Sequence, residues 1–313
     1  LPPLTSSRWT YSLEGKLTKA TKLKGIKDFK PKEFGLHEIP LTEWGPFIFI
    51  HMGPHSVKTE HPMTPDQVPS LHTQLAPLKK EIDASFGGLS NMRWMASKTF
   101  TVACNWKVVN DNYLDGEYHI PYVHPGKKQI LLNNYKMRSH NHLKHKGLNL
   151  QLDMSTYETK LFDGYSVQYA ETAKGDKKQA SEVSYGQDFH QRVGDQRVIY
   201  AMLYPTFAIN RYGNMMDTNH VIPLGPNKTA IVFDFFFEED LLKSLSEVEA
   251  KDYVEKSLAA AIQVQDEDSG VCENLQRGLT SKGYDKGRYA PSVELGTHHF
   301  HQWVSRNLYP SHK

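Results

Sequence analysis

Cysteine is scarce in this sequence of 313 residues, which contains only Cys104 and Cys272. Two cysteines are too few for a disulfide framework, so the composition favours a reducing, intracellular compartment. Long apolar runs are also missing, since "FIFI" and "IVFDFFF" fall far short of the roughly 20 residues that span a bilayer. The sequence therefore predicts a soluble protein with no membrane segment.

A charge excess of one sign is missing as well. The 37 Lys and Arg residues face 35 Asp and Glu residues, which leaves a formal net charge of +2. No sustained basic stripe marks a surface for nucleic acid or membrane. The 39% of hydrophobic residues can form a sizeable core, so we expect a folded protein whose partner is a small molecule or another protein. The opening "LPPLTSSRW" has no initiator methionine and no apolar signal segment, so it does not predict a localisation.

The chain divides into two regions by its pattern. Short alternating segments separated by glycine and proline predict small antiparallel strands over 1–55. A stretch rich in proline and polar residues follows, and we place the start of a second domain there, over 56–313. Four segments of that domain predict strands: "RVIYAMLY", "TFAINRY", "DTNHVIPL" and "TAIVFDFFF". Two later segments, 244–279 and 294–308, predict helices.

Residues 105–124, "NWKVVNDNYLDGEYHIPYVH", carry His119 and His124 five positions apart. In a straight helix this step turns the two rings about 140° away from each other. Pro121 disfavours helical geometry at the residue before it. We therefore expect the helix to end or kink directly after His119, so that His124 turns back toward it.

Asp268 lies within an apolar stripe of the late helix, which includes Val264 and Val271. Burying a carboxylate is costly unless it meets a hydrogen-bond donor, a cation or a metal, or takes up a proton. Two imidazoles and one carboxylate are the ligand set of non-heme Fe(II) oxygenases. Equally, Asp268 could be a salt-bridge partner or could sit where the helix breaks at Gly270, and a histidine pair is common on ordinary surfaces.

Other acids and histidines in these helices have simpler interpretations. Asp266 and Glu267 fall on other faces of the late helix, where we expect solvent. His298, His299 and His301 in "THHFHQW" suggest a second metal cluster, but no acid or cysteine stands near them in sequence. We expect a packed or solvated helix face there.

The histidine segment resembles the iron-binding segment of the Rieske-type aromatic-ring and quaternary-amine oxygenases. "QDEDSGVCENLQRGL" is similar to the helix of that family that carries the third iron ligand. Within the family the similarity is greatest to the plant choline monooxygenases, through "EFGLHEIPLTEWGPF" and "FAINRYGNMMDTNHVIPLGPNK". The resemblance implies an α+β helix-grip fold of the START/Bet v1 type, in which an antiparallel sheet wraps a long C-terminal helix. A small β remnant of a Rieske domain would precede it over 1–55.

The resemblance also implies ligands and a reaction. His119, His124 and Asp268 would bind a mononuclear Fe(II), and Asn112 would lie beside it. Fe(II) would activate O2 after an electron arrives from a [2Fe-2S] cluster, and choline would become betaine aldehyde hydrate in glycine betaine biosynthesis. The family further implies a ferredoxin or reductase as electron donor, a homotrimer and, for a plant protein, the chloroplast stroma.

An acid links the iron centre to the neighbouring subunit's cluster in this family. Many members carry it three residues before the first histidine, which is Gly116 here. The resemblance favours Asp115 for this role, with Glu117 as the alternative.

The substrate pocket of a quaternary ammonium compound should be aromatic, because such a cation has no donor on nitrogen and binds by cation–π attraction. Tyr200, Tyr204, Phe207 and Tyr212 lie on predicted strands that could line this pocket, although each could instead be a core aromatic. Carnitine and glycine betaine stay open as substrates. Their carboxylate would require a cationic partner, for which Arg211 is a candidate.

The sequence departs from the family where the second pair of cluster ligands, a cysteine and a histidine, should stand. Leu4 and Ser7 occupy those two positions, and Arg8 replaces a glycine. Neither side chain can replace a thiolate or an imidazole on the cluster irons. We therefore expect the chain as written to hold no Rieske cluster and doubt that it turns over alone. The alternative function is an inactive helix-grip ligand-binding protein, or a truncated isoform that lacks electron input.

Overall fold

The computed structural model describes residues 5–6, 9–37, 39–50, 71–124, 152–172 and 197–309. The chain forms two compact units, Leu1–Leu75 and Ala76–Lys313. The boundary predicted between residues 55 and 56 lies outside the described residues, as do Leu4, Ser7 and Arg8.

The first unit contains two small antiparallel sheets, which confirms the strands predicted there. Its aromatic rings Trp9, Phe29 and Phe34 pack together, with centroids 4.6 to 5.9 Å apart. One sheet has the order β1-β2-β3 and the other is a hairpin of β4 and β5. The elements are β1 (Thr5–Ser6), β2 (Trp9–Tyr11), β3 (Leu17–Ala20), a 3-10 helix (Pro31–Phe34), β4 (Leu41–Trp44), β5 (Phe47–Ile50) and α1 (Leu71–Gln74).

The second unit is built on a seven-stranded sheet with the order β6-β12-β11-β10-β9-β8-β7, in which every neighbouring pair is antiparallel. The strands are β6 (Met92–Val102), β7 (Leu152–Phe162), β8 (Tyr165–Thr172), β9 (Val198–Leu203), β10 (Phe207–Tyr212), β11 (Met215–Gly225) and β12 (Lys228–Glu238). The four strands predicted in this region correspond to β9 to β12. The large antiparallel sheet with helices confirms the predicted α+β class.

Six helices of the second unit accompany this sheet within the described residues. They are α2 (Ala76–Phe86), α3 (Trp106–Leu114), α4 (Gly116–Val123), α5 (Glu239–Ser244), α6 (Glu247–Leu279) and α7 (Leu295–Leu308). The last two match the predicted C-terminal helices. None of the helices in the described parts of the chain combines the length and apolar character needed to cross a membrane.

The long helix α6 is fixed at its start and buried along one side. Ser246 and Glu249 form a capping box, in which each side chain bonds the other residue's backbone N–H. Ala261 and Cys272 of α6 pack in the same core cluster as sheet residues such as Phe235. The helix continues without interruption through Gly270, so the alternative of a helix break beside Asp268 is wrong.

The histidine segment differs from its prediction. The helical path is interrupted at Asp115, where α3 ends and α4 begins, and α4 then continues through Pro121 to Val123. The expected helix end directly after His119 is therefore wrong, because the break falls four residues earlier. His124 leaves helical geometry at the C-cap of α4, with φ −112° and ψ 47°. The two rings still approach each other, with centroids 5.7 Å apart.

Candidate metal centre

Three side chains from α4 and α6 converge at one point. Oδ1 of Asp268 lies 3.1 Å from Nε2 of His124 and 3.8 Å from Nε2 of His119. The candidate ligand atoms of all three residues lie within 4.8 Å of one another. Among the described residues this is the one group of His, Cys, Asp and Glu side chains that could hold a metal ion.

The three side chains are shielded from solvent to different degrees. The exposed fraction is 1% for His124, 13% for His119 and 17% for Asp268. Two imidazole nitrogens and one carboxylate oxygen within 4.8 Å of one another are the donor set that fits a non-heme Fe(II) ion. The residues present therefore fit the group that the family resemblance implies.

Each histidine also engages a second carboxylate through its other ring nitrogen. Nδ1 of His119 lies 2.5 Å from Oδ1 of Asp115, and Nδ1 of His124 lies 2.6 Å from Oε2 of Glu267. Such partners fix the tautomer and the orientation of metal-binding imidazoles. With Nδ1 of both rings occupied, Nε2 is the nitrogen available to a metal.

The carboxylates change the protonation of His124. Burial lowers the pKa of this ring, but hydrogen bonds to Asp268 and Glu267 and their negative charges outweigh burial and raise the pKa from 6.5 to about 9. In the metal-free chain the ring is therefore an imidazolium at neutral pH. A metal must displace that proton to bind Nε2.

Glu267 is the site residue that the sequence analysis missed. It was expected in solvent, yet its side chain is only 14% exposed. Its carboxylate contacts both His124 and, at 3.1 Å, Nε2 of Gln263 one turn earlier in α6. A usable signal existed, because a metal-binding histidine usually has a second-layer acceptor and Glu267 directly precedes the proposed ligand Asp268.

A cavity of about 150 Å³ opens beside the three converging side chains. Its wall is built from α3, α4, α6 and the strands β7 to β12. The aromatic side chains in this wall are Tyr113, Tyr157, Tyr200, Tyr212 and Phe233. The predicted neighbour of the metal, Asn112, also lines it.

The structure brings two of the four predicted pocket aromatics to this cavity. Tyr200 and Tyr212 line it, and their ring centroids lie 6.3 Å apart. Tyr204 instead packs against α7, with its ring 5.3 Å from that of Phe300. Phe207 is not among the lining residues, whereas Ala208 is, because successive residues of β10 point to opposite faces of the sheet.

Alternation along β10 also decides the position of Arg211. This residue is fully buried and lies on the face opposite to Tyr212. Its guanidinium binds Oε1 of Glu238 at 2.5 Å and the backbone oxygen of Met215 at 3.0 Å. Arg211 therefore does not supply a cation to the cavity.

Of the two acids predicted for the electron path, the structure describes the side chain of only one. Asp115 lies beside His119, as described above. The side chain of Glu117 lies outside the described residues. Gly116 between them has no room for a side chain, since an added Cβ would collide with Oη of Tyr157.

Known proteins resemble this chain along most of its length. Choline monooxygenase of Arabidopsis thaliana is 40% identical over 303 residues, which is 96% of this chain and 61% of that protein. The oxygenase subunit of glycine betaine monooxygenase from Pseudomonas aeruginosa is 25% identical over 96% of this chain and 68% of its own length. A crystal structure of the quaternary ammonium Rieske monooxygenase CntA with an inhibitor has a TM-score of 0.62 at 19% identity. It covers 95% of this chain and 69% of that chain.

The chain thus spans about three fifths of the length of the plant relatives that it matches. The likeness to CntA supports the fold described above. The family described as "Ring hydroxylating alpha subunit (catalytic domain)" matches residues 89–309, which contain the converging histidines, Asp268 and the cavity. This chain therefore belongs to the ring-hydroxylating alpha subunit family.

Proposed function

We propose that this chain is the catalytic part of a Rieske-type monooxygenase that hydroxylates a quaternary ammonium compound at a mononuclear iron. Choline, converted to betaine aldehyde hydrate, is the proposed substrate. The observation that carries the proposal is the convergence of His119, His124 and Asp268 at the wall of an aromatic cavity. The names of the relatives support the substrate class, since they act on choline or glycine betaine.

Iron would be held by Nε2 of His119, Nε2 of His124 and the carboxylate of Asp268. When bound and reduced, it supplies the activation of O2 for hydroxylation. Asp115 and Glu267 hold the two rings so that both Nε2 atoms point to one place.

The cavity wall would hold the substrate. Tyr200 and Tyr212 line the cavity and would attract a trimethylammonium group, which has no N–H to donate, through their aromatic rings. Asn112 lies in the same wall and offers an amide that can hydrogen-bond to the hydroxyl of choline. These contacts would hold the substrate beside the iron ligands.

Electrons must come from outside this site. We propose that they arrive from a [2Fe-2S] cluster of a neighbouring subunit in a homotrimer, with a ferredoxin or reductase as first donor and Asp115 on the path. One solved relative is described in terms of inter-subunit electron transfer, which supports this arrangement. That this chain itself holds no Rieske cluster remains a prediction from the sequence. For a plant protein we propose the chloroplast, where the plant relatives are found.

The test begins with iron. The chain is purified without oxygen, reconstituted with Fe(II) and analysed for iron per chain. O2, choline and a chemical reductant are then added, and betaine aldehyde is measured. About one iron per chain and choline-dependent product are expected. Absence of iron would favour the ligand-binding protein, and iron without product would favour the truncated isoform that lacks electron input. Product from another quaternary ammonium compound but not from choline would contradict choline as substrate.

A further inference from the structure

Asp217 brings a second carboxylate to the cavity, on the sheet side of the wall. The residue lies in β11 and is only 2% exposed. Nδ2 of Asn210 donates a hydrogen bond of 2.6 Å to its Oδ1, and the hydroxyl of Tyr212 donates to its Oδ2. Because these partners are donors, they favour the ionised form of the carboxylate. An ionised Asp217 would give the cavity a buried negative charge that the iron ligands do not require.

The hydrogen-bond partners of Asp217 described above belong to a neutral network. The hydroxyl of Tyr113 donates to Oδ1 of Asn210 at 2.6 Å, which extends the hydrogen-bonded network. Burial, followed by the negative charge of Asp217, raises the pKa of Tyr113 well above its usual value of 10.0, so this phenol stays neutral. Of the described residues that line the cavity, none is a lysine or an arginine. Arg211, a neighbour in β10, is bound to Glu238 on the opposite face.

We infer that Asp217 determines substrate specificity by selecting organic cations that carry no carboxylate of their own. This inference rests on the proposed function and adds the residue that decides among quaternary ammonium compounds. A trimethylammonium group cannot hydrogen-bond, so it is bound by ring faces such as those of Tyr200 and Tyr212 and by a full opposite charge. In a buried site of low dielectric the attraction between opposite charges is much stronger than in water.

The same charge disfavours zwitterions. Glycine betaine carries the same trimethylammonium group together with a carboxylate. That carboxylate would enter a cavity that already contains Asp217 and Asp268, and none of the lining residues described here is a lysine or an arginine. The imidazolium in the lining, His124, is already held between the carboxylates of Glu267 and Asp268. Discrimination thus comes from repulsion of the wrong ligand as well as attraction of the right one.

A test must separate this role from a merely structural one. Binding to the full chain is measured by titration calorimetry with three probes: choline, glycine betaine and 3,3-dimethylbutan-1-ol, a neutral carbon isostere of choline. Asp217→Asn keeps the size of the side chain and an acceptor oxygen but removes the charge. Asp234→Asn on β12 is the matched control, because Asp234 accepts from Trp94 at 2.9 Å and does not line the cavity.

The original chain should bind choline at least about tenfold more tightly than either other probe. Asp217→Asn should lose that preference while its affinity for the neutral isostere is unchanged, and Asp234→Asn should keep it. Full choline preference in a folded Asp217→Asn variant would overturn the inference. Equal affinity of the original chain for choline and its neutral isostere would do so without any variant. Failure of the original chain to bind any probe would instead overturn the proposed function, and the inference with it.

Discussion

Nδ1 of His124 lies 2.6 Å from Oε2 of Glu267, and Nε2 of the same ring lies 3.1 Å from Oδ1 of Asp268. A single imidazole is thus held between two consecutive carboxylates of α6. Of the two carboxylates, Asp268 is the one near His119, whose Nε2 lies 3.8 Å from Oδ1 of Asp268. The adjacent acids therefore have different roles, with Asp268 as proposed ligand and Glu267 as the residue that orients His124.

Replacing Glu267 should weaken metal binding without removing a ligand. Glu267→Ala is expected to lower the affinity for Fe(II) by about 10- to 100-fold, because the His124 ring loses the partner that fixes its orientation. Glu267→Gln should keep most of the affinity, since its side-chain oxygen still accepts a hydrogen bond. The affinity is measured anaerobically by competition with a chelator. Asp266→Ala, a change at an exposed neighbour, is the control, and equal affinities of both alanine variants would contradict an orienting role.

His119 and Asp115 should respond differently to substitution. His119→Ala is expected to abolish iron binding because it removes one of three proposed ligands. Asp115→Asn should retain about one iron per chain, since the amide oxygen can still accept from Nδ1 of His119. Its expected defect is in electron delivery, where the negative charge is proposed to act. Iron per chain after anaerobic reconstitution checks both variants. Full iron content in His119→Ala would refute the ligand assignment, and equal loss in both would give Asp115 a structural role.

The sequence predicted those features that depend on local pattern. Apolar segments separated by turn residues identified β9 to β12, because strands that are buried on both faces are apolar along most of their length. The stripe around Asp268 identified a carboxylate that needs a partner. The face of a strand that lines the cavity is determined by tertiary packing. The sequence therefore could not show that Tyr200 and Tyr212 line the cavity whereas Tyr204 and Phe207 do not.

Glu267 and Pro121 show that local sequence pattern was also insufficient to predict the helical part of the site. Asp266 and Glu267 are both acids of α6, and only the placement of α4 against α6 brings one of them to His124. Pro121 is a strong helix-ending signal, yet α4 begins at Gly116 and includes the proline. Sequence rules treat each local signal separately, whereas tertiary packing determines which of the competing local structures forms.

His301 should give α7 a pH-dependent contribution to stability. Its Nε2 lies 2.7 Å from Oδ1 of Asp111 in α3, and this hydrogen bond, more than any opposing effect, raises the pKa of His301 above 6.5. A raised pKa in the folded state stabilises the protein fully below pH 6.5, and this contribution is lost as the pH rises through the raised value.

The free energy of unfolding of the original chain is therefore compared with that of His301→Gln as a function of pH. The difference should be largest below pH 6.5 and should shrink at higher pH. His298→Gln serves as control, because His298 is exposed on the same helix. A difference between the original chain and His301→Gln that is constant over the whole pH range would show that the ring contributes by packing alone.

Substitution by alanine should change the free energy of unfolding in opposite directions at Gly116 and Gly270. An added Cβ at Gly116 would collide with Oη of Tyr157, which donates a hydrogen bond of 2.9 Å to Oε1 of Gln168. Gly116→Ala should therefore lower the free energy of unfolding by about 1–3 kcal/mol. Gly270 is exposed in the middle of α6 with nothing within 4 Å of an added Cβ, so Gly270→Ala should raise it by about 0.5–1 kcal/mol.

Denaturant unfolding of the metal-free chain measures both effects. Adding Tyr157→Phe to Gly116→Ala should recover part of the loss, because it removes the colliding hydroxyl, and a double-mutant cycle isolates that term. A neutral Gly116→Ala would mean that the tyrosine moves aside without cost. A confirmed penalty would show that residue 116 disfavours any side chain, an acid included. The proposed electron path must then use a neighbouring position, of which Asp115 already contacts His119.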